Sequence, residues 1–359
     1  MTSTGVSLLR SCIHIVKTAE LECAGIFRVV EALAQSTGEF GYAAKVLFLA
    51  PGPLVDLART DGIDAAVVAW DGTARDGAGM LRFWLWMCAH RPDIAHLHHG
   101  GRAARLLAKL AGARAVVRHV HERVEELPGK QIAPMEFRHA DAVIACSQAV
   151  AEHIAGCTPE VIYTGIELPR QTPATARMDG PLRAGVLGRL IPLKNVDVAI
   201  EACARLNERG MAMELEIAGS GPCEEELRAL ATERGVSAQV RFLGWRTDVE
   251  ALLTDWELLV MPSSDEGFPL AALETMAAGR AVVASRAGGL CELVVEGETG
   301  MLFPPKDVNA LTACLAEAAA DRARLAAMGA AGWKRATELF SSREIARQTA
   351  KVYDRLLQR

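Results

Sequence analysis

Strand-length apolar runs alternate with helical segments along almost the whole chain, and few folds accommodate that pattern. The runs fall at 12–16, 44–49, 65–69, 94–98, 115–119 and 142–146 in the first half. In the second half they fall at 214–218, at 240–243 and up to Val260. Runs that are apolar nearly throughout suit strands covered on both faces, so the reading is an α/β chain built on parallel sheets. A length of 359 residues allows two domains of ordinary size. The stretch 171–181 is polar, carries proline and lacks periodicity, so it is the expected boundary. An N-terminal domain at 1–168 and a C-terminal one at 169–342 follow, with the last helix, within 343–359, crossing back to the first.

Composition removes several function classes. Half of the residues are hydrophobic and 23% are charged, enough apolar material for large cores. Residues 1–168 hold 16 basic and 18 acidic side chains, and residues 169–359 hold 23 and 26. Neither half is basic, which argues against nucleic acid as a partner. The nine cysteines form no C-x-x-C pair, as expected of reduced thiols in a cytoplasmic protein. Neither a signal-like start nor an apolar run of eighteen occurs. The expected location is cytoplasmic, at most on the inner face of a membrane.

The second half centres on 261–289. Ser263, Ser264, Asp265 and Glu266 make a polar turn after a strand, and Gly267-Phe268-Pro269 opens a helix expected to reach about Ala278. Proline is tolerated only near a helix start. The turn therefore aims backbone N–H groups and a positive helix end at the space above the strand. Glu266 and Glu274 can point to one side of this helix. Two arbitrary glutamates would read as a cap and a solvated side chain. Here Leu270, Ala271, Leu273 and Met276 surround Glu274 with apolar surface, and a carboxylate there needs a partner.

Together with Gly279-Arg280-Ala281-Val282-Val283 and Ala287-Gly288-Gly289, this stretch resembles the E-x7-E region of retaining nucleotide-sugar glycosyltransferases, most closely glycosyltransferase family 4. Gly188-Arg189-Leu190 followed by Lys194, the 161–167 run and the 298–305 turn match the same family. The resemblance implies the GT-B fold, two Rossmann-like doubly wound parallel-sheet domains facing each other across a cleft. It implies transfer of a sugar from a nucleoside diphosphate to an acceptor hydroxyl, in polysaccharide, lipid-linked glycan or glycoconjugate synthesis. Arg189 and Lys194, with Gly188, would flank the pyrophosphate, and Gly219 would line the donor site. Arg246 would lie by the base, Glu266 on the sugar and Glu274 on the ribose, with Gly267, Phe268 and Leu270 at the helix mouth. His121 would face the donor sugar, with His119 the runner-up. On the acceptor side the family's Gly-Gly pair stands as Ala24-Gly25, and Phe27 replaces a family glutamate.

The chain has no Asp-x-Asp triplet, so cationic side chains are expected in place of a metal, and no cofactor is expected. His96, His98, His99, His119 and His121 cluster in the first half. Strand alternation sends neighbours such as His98 and His99 to opposite faces, which argues against a metal site. The apolar segment 80–87 reads as a buried helix. Arg102, Arg105 and Lys109 would share one side of the next helix, a solvated face or a contact for anionic lipid. Two rival readings share the architecture, a sugar-nucleotide 2-epimerase and a non-catalytic scaffold. A plain NAD-binding protein does not fit, since no G-x-G-x-x-G follows the first strand.

Overall fold

The chain builds two parallel sheets in separate units. The computed structural model describes residues 9–20, 24–99, 101–121, 132, 134–168 and 180–358. Most of the stretch 171–181 and the residues just after His121 lie outside that set. One unit comprises Met1–Glu167 with Ser341–Arg359, and the other Leu168–Phe340.

The first unit holds strands β1 (Arg10–Val16), β2 (Tyr42–Phe48), β3 (Ala65–Val67), β4 (Ile94–Leu97), β5 (Ala115–Val120), β6 (Ala142–Ala145) and β7 (Glu160–Val161). They lie in the order β3-β2-β1-β4-β5-β6-β7. Period-two alternation divides each strand between two apolar layers. Ile13, Ile15, Leu47, Ala95 and Leu97 pack with Phe83, Met87 and Ala104 on one face. Val16, Val46 and Phe48 pack with Phe27, Val30 and Leu54 on the other. The C-terminal helix Ser342–Leu357 belongs to this unit. Ser341 caps it by accepting from the Glu344 N–H at 3.2 Å, and the Ser342 N–H donates to the Ile166 carbonyl at 2.8 Å.

Strands β8 (Leu182–Leu187), β9 (Met213–Ala218), β10 (Val240–Gly244), β11 (Leu258–Met261), β12 (Ala281–Ser285) and β13 (Gly300–Phe303) form the second sheet. Its order is β10-β9-β8-β11-β12-β13. Leu182, Ala184, Leu215, Ile217, Val260 and Val283 pack beneath helices Val196–Glu208 and Val308–Ala320. Both strand orders reverse once, between β1 and β4 and between β8 and β11. Ligands of open α/β sheets bind at such switch points, outside the carboxyl ends of the strands.

Three expectations are corrected. The segment at 80–87 lies in helix Gly77–His90, which buries Phe83 and Met87 but leaves Leu81 and Leu85 more than half exposed. Periodicity alone could not show that only one stripe meets the sheet. In helix Arg102–Leu110, Arg105 is fully buried, with its Nε donating to the Arg138 carbonyl at 3.0 Å, and Lys109 pairs with Asp141 at 2.6 Å. The three cations therefore do not form one open basic face. Gly25 lies inside helix Ala24–Ser36 rather than in the preceding loop. Among the described residues no helix is long and apolar enough to cross a membrane.

Candidate active site

The second sheet's switch point collects most of the expected residues. Beyond the end of β8, Gly188 adopts φ +148°, and Gly219 after β9 adopts φ +149°. A Cβ on Gly219 would lie 1.8 Å from the Gly188 oxygen, so only glycine lets these loops pass. The chain then turns through Pro192–Lys194. Lys194 Nζ donates to Glu266 Oε1 at 2.6 Å, with the two side chains 22% and 10% exposed. Leu187, Gly188, Arg189, Lys194, Met261 and Ser263 line a shallow pocket here.

Glu266 is held from behind. Its carbonyl accepts from the Gly289 N–H at 2.9 Å, and a Cβ on Gly288 would come within 2.0 Å of the same oxygen. Phe268 is buried against the Phe340 ring, so its side chain anchors the turn. Helix Leu270–Ala277 follows, with Pro269 at its N-cap. By helix geometry the first-turn N–H groups, from Leu270 onward, lack intrahelical acceptors. Glu274 is half-buried on the second turn.

Asn195 was not singled out from the sequence. It sits in the left-handed region at φ 44°, is buried, and donates from Nδ2 to the Pro262 carbonyl at 2.9 Å and to Ser264 Oγ at 2.6 Å. The Ser264 N–H in turn donates to the Leu193 carbonyl at 2.8 Å. Asn195 thus ties the Lys194 turn to the Glu266 turn. Asparagine's tolerance of positive φ is the one signal that could have marked it. Arg246 stands apart, beyond the edge strand β10, where its guanidinium forks onto the Asp248 carboxylate, with Nε to Oδ1 at 2.7 Å.

In the first unit the histidines form a column across β1, β4 and β5. His14 pairs in register with His96. His14 Nδ1 and His98 Nε2 are 2.9 Å apart, and His98 Nδ1 and His121 Nε2 are 2.8 Å apart. The Tyr353 hydroxyl bonds His96 Nδ1. His119 is fully buried, and neither ring nitrogen has a partner among the described residues. His121 is partly exposed at the carboxyl edge. Strand alternation puts residues two apart on one face. The same rule places His96 with His98, and His119 with His121, on one face, so the expectation that alternation disperses the histidines is corrected.

Burial lowers all five of these imidazoles. His14 is pushed down to about 4 and His119 to about 3, and His96, His98 and His121 fall well below 6.5. Folded-state values below the unfolded value mean that the unfolded chain takes up protons the folded chain refuses. The stabilising contribution is whole above about pH 6.5 and is lost as pH falls toward 4 for His14 and toward 3 for His119. Glu31, raised to about 7 by burial and by its bond to Asp61, acts in the opposite sense, but it is one group against six, since burial also pushes His99 down to about 4. The first unit's melting temperature should therefore fall on acidification from about pH 7 to about pH 5. A flat or rising profile would contradict neutral buried rings.

These two doubly wound sheets, with a cationic turn and a carboxylate at a switch point, define the GT-B class. The sequence model described as glycosyl transferases group 1 matches residues 170–335, and that of glycosyltransferase family 4 matches residues 24–170. A D-inositol 3-phosphate glycosyltransferase of Streptomyces avermitilis is 30% identical over 92% of this chain and 78% of its own length. A Salmonella typhimurium protein named as a colanic acid biosynthesis glycosyltransferase, WcaL, is 31% identical over 62% of this chain. The chain spans 60% of that relative's length. Anabaena HepE (Alr3699), solved in complex with UDP-glucose, superimposes with a TM-score of 0.81 at 21% identity, covering 96% of this chain and 99% of its own. The chain belongs to glycosyltransferase family 4.

Proposed function

We propose that this chain transfers a sugar, with retention of anomeric configuration, from a nucleoside diphosphate to an acceptor hydroxyl. The observation that carries the reading is the Lys194–Glu266 pair at the β8/β11 switch point. A glycosyl diphosphate already has a good leaving group, so the bond breaks most easily where positive potential meets the departing charge. Arg189, Lys194 and the helix mouth at Gly267, Phe268 and Leu270 supply it without a metal. Gly188 and Gly219 let backbone approach the diphosphate, and Arg246 lies on the side of the base. Without donor, Lys194 and Glu266 neutralise each other. An arriving diphosphate draws Lys194 away and frees Glu266 to accept from sugar hydroxyls, while Glu274 takes the ribose. The UDP-glucose bound by the Anabaena neighbour supports a nucleotide-sugar donor.

His121 is the proposed sugar-facing imidazole and His119 its packed support. His121→Ala should lower turnover about tenfold, the worth of one hydrogen bond, and leave the melting temperature near wild type. His119→Ala should cost stability more than rate. A dead but stable His119→Ala beside an active His121→Ala would exchange the two roles. The reaction class itself is tested with a panel of nucleotide sugars and hydroxyl acceptors. Free nucleoside diphosphate with the sugar passed on supports transfer. Interconversion of intact sugar nucleotides indicates epimerisation, and binding without turnover a scaffold; either outcome rejects the proposal.

A further inference from the structure

We propose that His98, His119 and His121 form a binding site for a borderline divalent metal ion of the Zn2+ type, which takes the Nε2 side of the same His121 that the proposed function sets against the donor sugar and leaves its Nδ1 for the sugar. Each ring offers a nitrogen, and the three lie within 4.8 Å of one another. A tetrahedral zinc holds nitrogen ligands about 3.3 Å apart, so the rings need only small rotations. The set is all imidazole. Carboxylate-seeking Mg2+ and Ca2+ are therefore disfavoured, and three ligands leave the fourth position open.

The surroundings fit ligation. His14 Nδ1, 2.9 Å from His98 Nε2, can accept that ring's proton and leave the Nδ1 lone pair of His98 facing His121 Nε2. A ligating histidine fixed through its other nitrogen is the usual outer-shell arrangement. His119 otherwise buries two polar nitrogens without partners among the described residues, which leaves their desolvation uncompensated; a metal would relieve part of it. His121, at the partly exposed carboxyl edge, offers the way in. Arg118 opposes binding through its charge, although its guanidinium is tied to the carbonyls of Leu97, His98 and His119.

The test is titration of chelator-stripped, full-length protein with Zn2+ alone, and with Co2+ as a spectroscopic probe. The expected result is one saturable ion per chain and an intense visible cobalt spectrum of a four-coordinate nitrogen site. His14→Phe should weaken binding about tenfold to a hundredfold, the usual effect of losing an outer-shell partner. His119→Ala should abolish it. If His119→Ala does not fold, the wild-type cobalt spectrum and His14→Phe decide. No saturable uptake overturns the proposal. So do a weak octahedral spectrum, a thiolate charge-transfer band, and unchanged affinity in either folded variant.

Discussion

Replacing Lys194 with alanine should lower turnover by about 2–4 kcal/mol of transition-state stabilisation, roughly thirtyfold to a thousandfold, the range for one preorganised electrostatic group. Lys194 is held at 2.6 Å from Glu266 in a turn that Asn195 ties to the Pro262 carbonyl and the Ser264 hydroxyl, so on the proposed reading the turn stays fixed and only the Lys194 side chain swings from Glu266 to the diphosphate. Removing Lys194 also leaves the 10%-exposed Glu266 carboxylate without its cation, and a modest fall in melting temperature should accompany the lost rate. Lys194→Arg should recover part of the rate, because charge is kept while geometry is not. Initial rates with saturating donor, with and without EDTA, check both points. A Lys194→Ala enzyme that turns over like wild type, or a wild type inactivated by EDTA and restored by Mg2+ or Mn2+ but not by Zn2+, would place the diphosphate elsewhere.

Gly219→Ala should be the most damaging small substitution in the second unit. Its backbone lies at φ +149°, and the added Cβ would meet the Gly188 oxygen at 1.8 Å. Neither partner can yield easily, since the Gly188 N–H donates to Ala218 and the Gly219 N–H to Gly244. Backbone strain and overpacking each cost about 1–3 kcal/mol, so a combined loss of about 3 kcal/mol or more is expected. That is a melting shift on the order of 6–12 °C for a unit of this size, with weakened nucleotide binding. Gly235, at φ +69° with nothing within 4 Å of its Cβ position, provides the contrast. Gly235→Ala should cost only about 1–2 kcal/mol of backbone strain. Equal melting temperatures for the two variants would mean that the Gly188–Gly219 crossing is not tight.

The division between what could be read from the sequence and what could not follows the range of the interactions. Runs such as Ile13–Ile15 and Val282–Val283 mark strands because both of their faces are covered, and that shows in local composition. The GT-B fold was legible through the alternation and the matching motifs. Lys194 and Glu266 are 72 residues apart. No spacing rule joins them, and only the order β8-β11 brings their turns together. The histidine column depends on β1, β4 and β5 being neighbours, so reasoning within one strand could not stack His14 on His98. Arg105 was misread because helical spacing gives a face without saying which face turns inward, and its carbonyl partner at Arg138 comes from a distant turn. Phe27, at the position where the family resemblance implies glutamate, is fully buried against Phe48; the surroundings of a side chain are not visible in one sequence.

The most direct test is calorimetric titration of nucleoside diphosphates into wild type, Glu266→Ala and Glu274→Ala. If Glu274 holds the ribose, Glu274→Ala should weaken diphosphate binding about tenfold to a hundredfold, the worth of a charge-assisted hydrogen bond. If Glu266 touches only the sugar and competes for Lys194, Glu266→Ala should bind the diphosphate as well as wild type or more tightly, while losing affinity for the intact nucleotide sugar. Equal losses of diphosphate affinity in the two variants would contradict a donor site built on the Lys194–Glu266 pair.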